Sequence, residues 1–457
     1  MVSVTNPFVE RPQLTRSTAA PERTDGSASI WRGIRRDVIL LGAGNVAIVV
    51  AQLAFRSILI SALVPAVYGR LSLILSIYNT VWIIGASGLP NSVARYIAIN
   101  APADDSAIIR SAIRAGAWPI VIAATLIAAI SGILLSTPLA CVISAIGLSS
   151  LVYSLLAMGI LRGRGKMWSA ASIMPISAFG GVVPLALLWQ SGLGITPLSG
   201  FGVFCLGNVM GLAAGIIFTL RTAPPRSHCT APSTENTVGF VPTARQLLGF
   251  SLWLAVATGS VAILPLVIRS AAALDSYTVV AIIDVAIVLF GIPQRVGTVI
   301  VLAVTPHASR AVSKGGAGVA ISRRETLIMT VPFVLAALVV GFTPLVGWLF
   351  DALGRPVYAQ SAVYLALALL AGPARILYGL VEGMLIAYGE GRFLALTAIV
   401  ITAVASAMIF AAVALGSTIV AFAVFVTSFW VIYLVGLARV DRLASIREPL
   451  PNQSPSF

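Results

Sequence analysis

Apolar runs about as long as a bilayer is thick recur from residue 38 to residue 438, leaving this chain almost no way to fold in water. A hydrocarbon core of ~30 Å is crossed by ~20 apolar residues in a helix. Windows of that length fall at 38–64, 71–99, 113–135, 140–161, 167–189 and 198–220. Six more fall at 246–268, 277–305, 326–350, 358–384, 393–414 and 417–438. The composition agrees: 58% of the residues are hydrophobic and only 10% are charged, against about 25% charged in soluble domains. The expected fold is therefore all-α and polytopic, with about 12 transmembrane helices in two six-helix bundles around a central cavity.

The net charge of +14 would suggest nucleic acid in a soluble chain, but its placement says otherwise. Most Lys and Arg residues fall in alternate loops: Arg11 to Arg36, then Arg95, Arg110 and Arg114, then Arg162, Arg164 and Lys166. The series continues with Arg221, Arg226 and Arg245, then Arg310 to Arg324, then Arg392, and finally Arg439, Arg442 and Arg447. Only Arg70, Arg269 and Arg355 fall on the other side in this count. Cytoplasmic loops carry the excess of Lys and Arg, so both termini are expected in the cytoplasm of a bacterial inner membrane.

Residues 1–36 are polar and rich in Arg, Pro, Ser and Thr, without the apolar stretch and cleavage site of a secretory signal. They read as a disordered cytoplasmic tail. Residues 222–244 read as a flexible cytoplasmic linker, between bundles at 37–221 and 245–439, and 440–457 as a second tail. Two halves of equal helix number and orientation are the footprint of a parallel duplicated transporter. Tyr68 and Tyr277 open equivalent segments, Pro90 and Pro293 interrupt them, and Arg95 and Arg310 end them.

Catalytic and cofactor signatures are missing from this sequence. It has no P-loop, H-E-x-x-H, C-x-x-C or G-x-S-x-G run. Cys141, Cys205 and Cys229 lack metal or redox spacing, and His228 and His307 read as solvated loop residues. Outer loops are too short for a folded catalytic domain. The expectation is a non-enzyme with no cofactor and no metal.

Polar groups inside the apolar runs need a reason, because a charge at the bilayer centre costs ~2.5–3.5 kcal/mol on insertion scales. Asn45, Gln52 and Arg56 are spaced seven and four, which puts them on one stripe of a helix. Ser72, Ser76 and Asn79 form a second stripe in the next segment. Asp284 and Arg295 share a face, as do Arg375 and Glu382. Two readings stay open: these groups line a wet cavity, or they pair between helices as structural glue. Three arginines against two acids leave the interior cationic, and the planar fork of Arg suits phosphate. A mildly cationic cavity favours an anionic cargo. Substrate-binding candidates are Arg56, Arg295, Arg375, Asn45, Gln52, Ser76 and Asn79, with Asp284 and Glu382 as candidates for coupling to an ion.

The stretch from Gly42 to Arg95 resembles bacterial polysaccharide flippases of the multidrug/oligosaccharidyl-lipid/polysaccharide exporter superfamily. The residues that carry this are R-x-x-L-x-x-x-L-x-P-x-x-Y-G (Arg56, Leu59, Leu63, Pro65, Tyr68, Gly69) and G-L-x-x-S-x-A-R-Y-I-A from Gly88 to Ala98. I-P-Q-R and T-P-H-A-S-R between Ile292 and Arg310, and A-Y-G-E-G-R-F from Ala387 to Phe393, agree. The resemblance implies a carrier that moves a polyprenyl-diphosphate-linked oligosaccharide to the outer leaflet by alternating access, for cell-surface polysaccharide or cell-wall assembly. Its implied partners are that glycan-lipid, membrane lipid and polysaccharide-assembly proteins, with no nucleic acid. A cation-coupled multidrug exporter of the same superfamily, or a peptidoglycan-precursor flippase, are the alternatives.

The basic loops make the orientation testable. Reporters fused after Arg162, within 222–243 and after Arg439 are expected to report cytoplasm. Those near Pro65, Thr196 and Asp351 are expected to report the outer side, and one reproducible inversion overturns the twelve-span arrangement.

Overall fold

The computed structural model describes residues 26–86, 88–99, 105–223, 244–313 and 323–447. The first half holds α1 (Gly26–Ala62), α2 (Pro65–Ala86), α3 (Leu89–Ile99), α4 (Asp105–Leu135), α5 (Pro138–Gly163), α6 (Met167–Gln190) and α7 (Pro197–Arg221). The second holds α8 (Ala244–Ala272), α9 (Tyr277–Ser313), α10 (Arg323–Phe342), α11 (Leu345–Ala352), a 3-10 turn (Pro356–Gln360), α12 (Ser361–Ala387), α13 (Gly391–Ala414) and α14 (Thr418–Arg447). No strand occurs among the described residues. That suits a bilayer, where each backbone polar group must be satisfied within its own helix.

Ten described helices are long and apolar enough to cross a membrane, and the pair Thr330–Phe342 and Leu345–Ala352, bent by 63°, supplies an eleventh span. Helix α2 has 22 residues, or ~33 Å, so it has the length of the twelfth. Tyr68, Arg70, Ser72, Ser76 and Asn79 interrupt its apolar run. Trp118, Ile133, Phe342 and Leu415 are each at least 75% exposed, an outward apolar face that only lipid covers without penalty. This is a multi-pass membrane protein.

Helix ends follow local chemistry. Thr137 caps α5 by accepting from the Ala140 N–H at 3.3 Å, with Pro138 at the first helical position. Thr196 and Ser199 form a reciprocal capping box at α7.

Several expected boundaries move. The single segment at 71–99 is two helices: α2 starts earlier, at Pro65, and the chain turns at Gly88 with φ +69° before α3. Pro90 lacks an N–H and suits the first turn of a new helix. The segment at 326–350 likewise breaks, at Thr343-Pro344. The tail expected over 1–36 is helical from Gly26, and the tail expected over 440–457 is helical to Arg447. A local apolar window does not register helices that continue past the hydrocarbon. The linker expected over 222–244 falls almost entirely outside the described residues. Arg269, expected in an outer loop, lies inside α8 and is buried.

Close packing rests on glycines where helix backbones meet. A Cβ on Gly379 of α12 would come within 2.4 Å of the Gly297 carbonyl of α9. Between the halves, a Cβ on Gly69 of α2 would fall 1.8 Å from the Tyr277 carbonyl of α9. Around that approach, Leu59, Leu63 and Tyr68 pack with Ala281, Val346, Phe350 and Tyr358 in one buried apolar cluster. Tyr358 meets the Tyr68 ring edge-on at 6.4 Å and stacks obliquely on Phe350 at 5.5 Å. Arg355 donates to the Ser61 carbonyl beside them. All of this lies at the end where α1 gives way to α2. At the opposite end Arg164 ties α5 to Asp105 of α4 at 2.5 Å and to the Thr219 carbonyl of α7 at 2.7 Å.

Gly69→Ala is therefore expected to lower the thermal midpoint of the purified protein, at a cost of about 1–3 kcal/mol from overpacking. Gly42→Ala, where a Cβ would meet nothing within 4 Å, serves as the control and is expected to leave it unchanged.

Candidate functional site

Helix α1 presents two opposite exposed faces. Val46 and Val50 are 64% and 54% exposed and face lipid. Gln52, also exposed, lies about 160° around the helix from Val50. Asn45 and Arg56 share its stripe, so this stripe faces the space between the halves rather than lipid. Helix α2 has α1, α4, α5, α7, α8 and α9 as neighbours, and its residues 71–76 are buried. Asn79 is nevertheless exposed, one turn from Ser76 on the same face. An exposed asparagine on a surrounded helix borders an internal, water-accessible cleft.

The cleft is closed at one end by charge. The Asp284 carboxylate, fully buried on α9, joins four helices. Its Oδ1 accepts from Arg269 of α8, Nε at 2.8 Å and Nη2 at 2.5 Å. Its Oδ2 accepts from Arg56 of α1, Nη1 at 3.2 Å, and from the hydroxyl of Tyr68 of α2. Arg269 Nη1 also donates to Ser76 Oγ of α2 and to the Pro265 carbonyl, both at 3.1 Å. One carboxylate therefore serves two guanidiniums, one from each half, and the group carries a net positive charge. Removing the carboxylate from such a set leaves uncompensated buried charge, at a cost of ~3–5 kcal/mol.

Away from this cluster the halves part unevenly. Ile83 of α2 stays against α8, where a Cβ on Gly259 would come within 3.3 Å of it. On the other side, Gly291 of α9 faces open space. Arg295 lies eleven residues beyond Asp284, on the same face within ~20° and ~16 Å farther along the axis. It is partly exposed and has no ion-pair partner among the described residues. The structure thus brings Asn45, Gln52, Arg56, Ser76 and Asn79 to the cleft and its closed end, with Arg295 on the cleft face of α9.

Arg375 and Glu382 are elsewhere. Both are buried on α12, 3.8 Å apart, and Arg375 lies over the Tyr378 ring at 5.5 Å. Gly297 of α9 packs on Arg375: a Cβ there would meet the Arg375 carbonyl at 2.6 Å and Nη1 at 3.2 Å. Gly297 is ~200° around α9 from Arg295, so helix α9 stands between Arg375 and the cleft. Expecting Arg375 beside Arg56 and Arg295 is corrected by this packing. Its Nε and Nη1 make no hydrogen bond. In the first half, a neutral set joins Ser177 to Asn208 at 3.0 Å and Asn208 to the Tyr78 hydroxyl at 2.9 Å. Among the described residues no group of His, Cys, Asp and Glu is arranged to hold a metal.

Arg269 and Tyr68 were not candidates on sequence. Arg269 sits at the edge of an apolar window, where it reads as a loop residue. The signal that finds it is depth: Asp284 lies two turns inside its helix and needs a counter-charge at the same depth, which Arg269 supplies from the preceding helix.

No protein-family model matches this chain, and no curated protein matches it. Solved structures do. An inward-facing multidrug resistance MATE family transporter of the MOP superfamily superposes with TM-score 0.61 at 18% identity, over 88% of this chain and 96% of the other. An outward-facing MATE transporter of the same superfamily gives 0.59 at 17%, over 93% and 99%. A MOP superfamily transporter from Pyrococcus furiosus Vc1, described by a binding pocket of reverse polarity that suggests a different function, gives 0.58 at 17%, over 94% and 100%. The chain has the fold of MOP superfamily transporters, with neighbours that are transporters and not enzymes. At these identities the fold alone is shared, and the narrower resemblance to polysaccharide flippases rests on sequence motifs.

The charge count in the cluster gives a direct test. Asp284→Asn is expected to lower membrane abundance sharply, because two buried guanidiniums lose their carboxylate. Asp284→Asn with Arg269→Gln keeps the original net charge and is expected to recover much of that abundance. Arg56→Gln leaves a neutral Arg269–Asp284 pair and is expected to fold normally. Equal abundance for Asp284→Asn and the unaltered protein in immunoblots of washed membranes would contradict this.

Proposed function

We propose that this protein is a flippase that moves a polyprenyl-diphosphate-linked oligosaccharide from the cytoplasmic to the outer leaflet of a bacterial inner membrane by alternating access. The observation that carries the reading is the polarity of the cleft. Its described charged groups are Arg295, without a carboxylate partner, and Arg56, which shares one carboxylate with Arg269. A diphosphate suits such a surface, since a guanidinium donates two parallel hydrogen bonds to phosphate oxygens. Asn45, Gln52 and Asn79 supply neutral donors and acceptors for sugar hydroxyls, whereas Ser76, buried against Arg269, belongs to the closed end. With both termini in the cytoplasm, the sealed end faces outward and the open end inward, the posture of a carrier awaiting cargo from inside. The hydrocarbon tail stays in lipid while the head group enters.

A multidrug exporter of the same fold is the alternative, and the MATE neighbours are compatible with it. A cationic drug would need a carboxylate facing the cleft. Asp284 is committed to two arginines, and between Gly42 and Arg221 the only acidic residues are Asp104 and Asp105. The Pyrococcus furiosus transporter, with its pocket of reverse polarity, supports the view that this fold serves pockets of different sign. Of the two buried carboxylates, Glu382 is the freer to exchange a coupling ion, since its contact with Arg375 is long.

Depleting the protein is expected to trap a lipid-linked glycan in the inner leaflet, measured by its protection from an external glycosidase. Arg295→Ala is expected to reduce export at limiting cargo by roughly ten- to hundredfold at normal abundance, the loss of ~1.5–3 kcal/mol of charged hydrogen bonding. Arg295→Lys is expected to recover part of it, keeping the charge without the fork. Export of tetraphenylphosphonium with no effect on glycan-lipid would overturn the proposal in favour of the multidrug reading.

A further inference from the structure

The cluster that closes the cleft is unbalanced in a way that identifies what opens it. Two guanidiniums share one carboxylate, so the set is complete only when a second anion is present. Arg269 is fully engaged: it makes two bonds to Asp284 Oδ1 and one each to Ser76 and to the Pro265 carbonyl. Arg56 is the loosely held member. It reaches Asp284 through Nη1 alone, at 3.2 Å, its side chain is 14% exposed, and it shares the cleft-facing stripe of α1 with Gln52. The two arginines also differ in which half they belong to. Arg269 and Asp284 are both in the second half, whereas Arg56 is in the first.

We propose that Asp284 stands in for the anion of the cargo: the diphosphate head group competes with it for Arg56, and the exchange releases the outer seal. This rests on the flippase reading and adds to it the trigger. Without cargo, Arg56 has Asp284 as its carboxylate and the two halves stay tied through α1 and α9. When a phosphate occupies Arg56, the first half holds a guanidinium paired with cargo. The second half keeps a neutral Arg269–Asp284 pair. Neither half then holds a guanidinium without an anion, so the halves separate at their outer ends without stranding a buried arginine. The hydrogen bonds from Tyr68 to Asp284, from Arg269 to Ser76 and from Arg355 to the Ser61 carbonyl then remain to be given up, together with the apolar packing of Leu63 and Tyr358. A cation or a neutral lipid offers Arg56 nothing and leaves the tie in place. The arrangement makes outward opening conditional on an anionic head group, because a ligand shifts the equilibrium only by binding the open form better.

The test uses a reporter at the seal. Leu63 is 5% exposed within the seal, and Leu63→Cys, in full-length protein with the three native cysteines replaced, reports outer opening by its rate of maleimide labelling in nanodiscs. Farnesyl diphosphate is expected to raise that rate by about tenfold or more, with farnesol and tetraphenylphosphonium without effect. Arg56→Gln, which leaves the second half neutral, is expected to label fast without ligand and to ignore farnesyl diphosphate. Arg56→Lys retains a single-point pair and is expected to label slowly and respond weakly. If farnesyl diphosphate binds, seen as a thermal shift, but labelling at position 63 stays unchanged, the trigger is wrong while the anionic-cargo reading stands. If it produces neither a thermal shift nor labelling, and tetraphenylphosphonium produces both, the cargo assignment itself fails. Slow labelling of well-folded Arg56→Gln also overturns the trigger, since the tie would then not depend on Arg56.

Discussion

A single carboxylate at membrane depth, shared by two guanidiniums, organises the closed end of this protein. In a medium that solvates ions poorly, Asp284 is stable only with a counter-charge, and it serves as the anion for both guanidiniums beside it. The three residues come from α1, α8 and α9, with Tyr68 of α2 adding a hydroxyl, so meeting their mutual need fixes four helices against one another. The close backbone approach of Gly69 to Tyr277, the Tyr68–Tyr358–Phe350 aromatic contact and the Arg355–Ser61 tether all lie beside this set, at the end where α1 gives way to α2. They form an apolar lid over a charged lock.

Below the lock the polarity inverts. Gln52, Asn79 and Arg295 face the cleft, and on α1 the face opposite Gln52 carries the exposed Val46 and Val50. Helix α2, with helices on every side, contributes Tyr68 and Ser76 to the lock and Asn79 to the cleft. The second ionic pair, Arg375 with Glu382, is confined to the interior of the second half behind α9. It therefore affects the cleft only through α9, whose Gly297 is wedged against it. Of the two buried ionic sets, one spans the halves and the other lies within the second half.

How far the site was legible can be judged residue by residue. The stripe of Asn45, Gln52 and Arg56 was readable because a helix has a fixed period, and the structure places that stripe on the face away from lipid. The distance along α9 between Asp284 and Arg295 was readable for the same reason. Arg269 was missed because an apolar window treats an arginine at its edge as the start of a loop. In fact its guanidinium is held in the membrane by a carboxylate fifteen residues later. Arg375 was grouped with the cleft arginines because each is an intramembrane arginine; the sequence contains nothing about which side of α12 meets α9. The break of α2 at Gly88 and the bend at Pro344 were both marked by proline and glycine, yet hydropathy runs straight through them.

By itself the sequence determined that this is a multi-pass helical membrane protein, roughly how many spans it has, and which polar residues share a helix face. Those properties are local: they depend on transfer of side chains to hydrocarbon and on the 3.6-residue period of the helix. Only the tertiary structure decided which charges neutralise which. Arg56 and Asp284 are 228 residues apart in the chain, and either could have paired with several other groups by helical geometry alone. The choice was made by packing, where Gly69 admits Tyr277, Gly297 admits Arg375, and α9 comes to stand between one buried arginine and the cleft that another one faces.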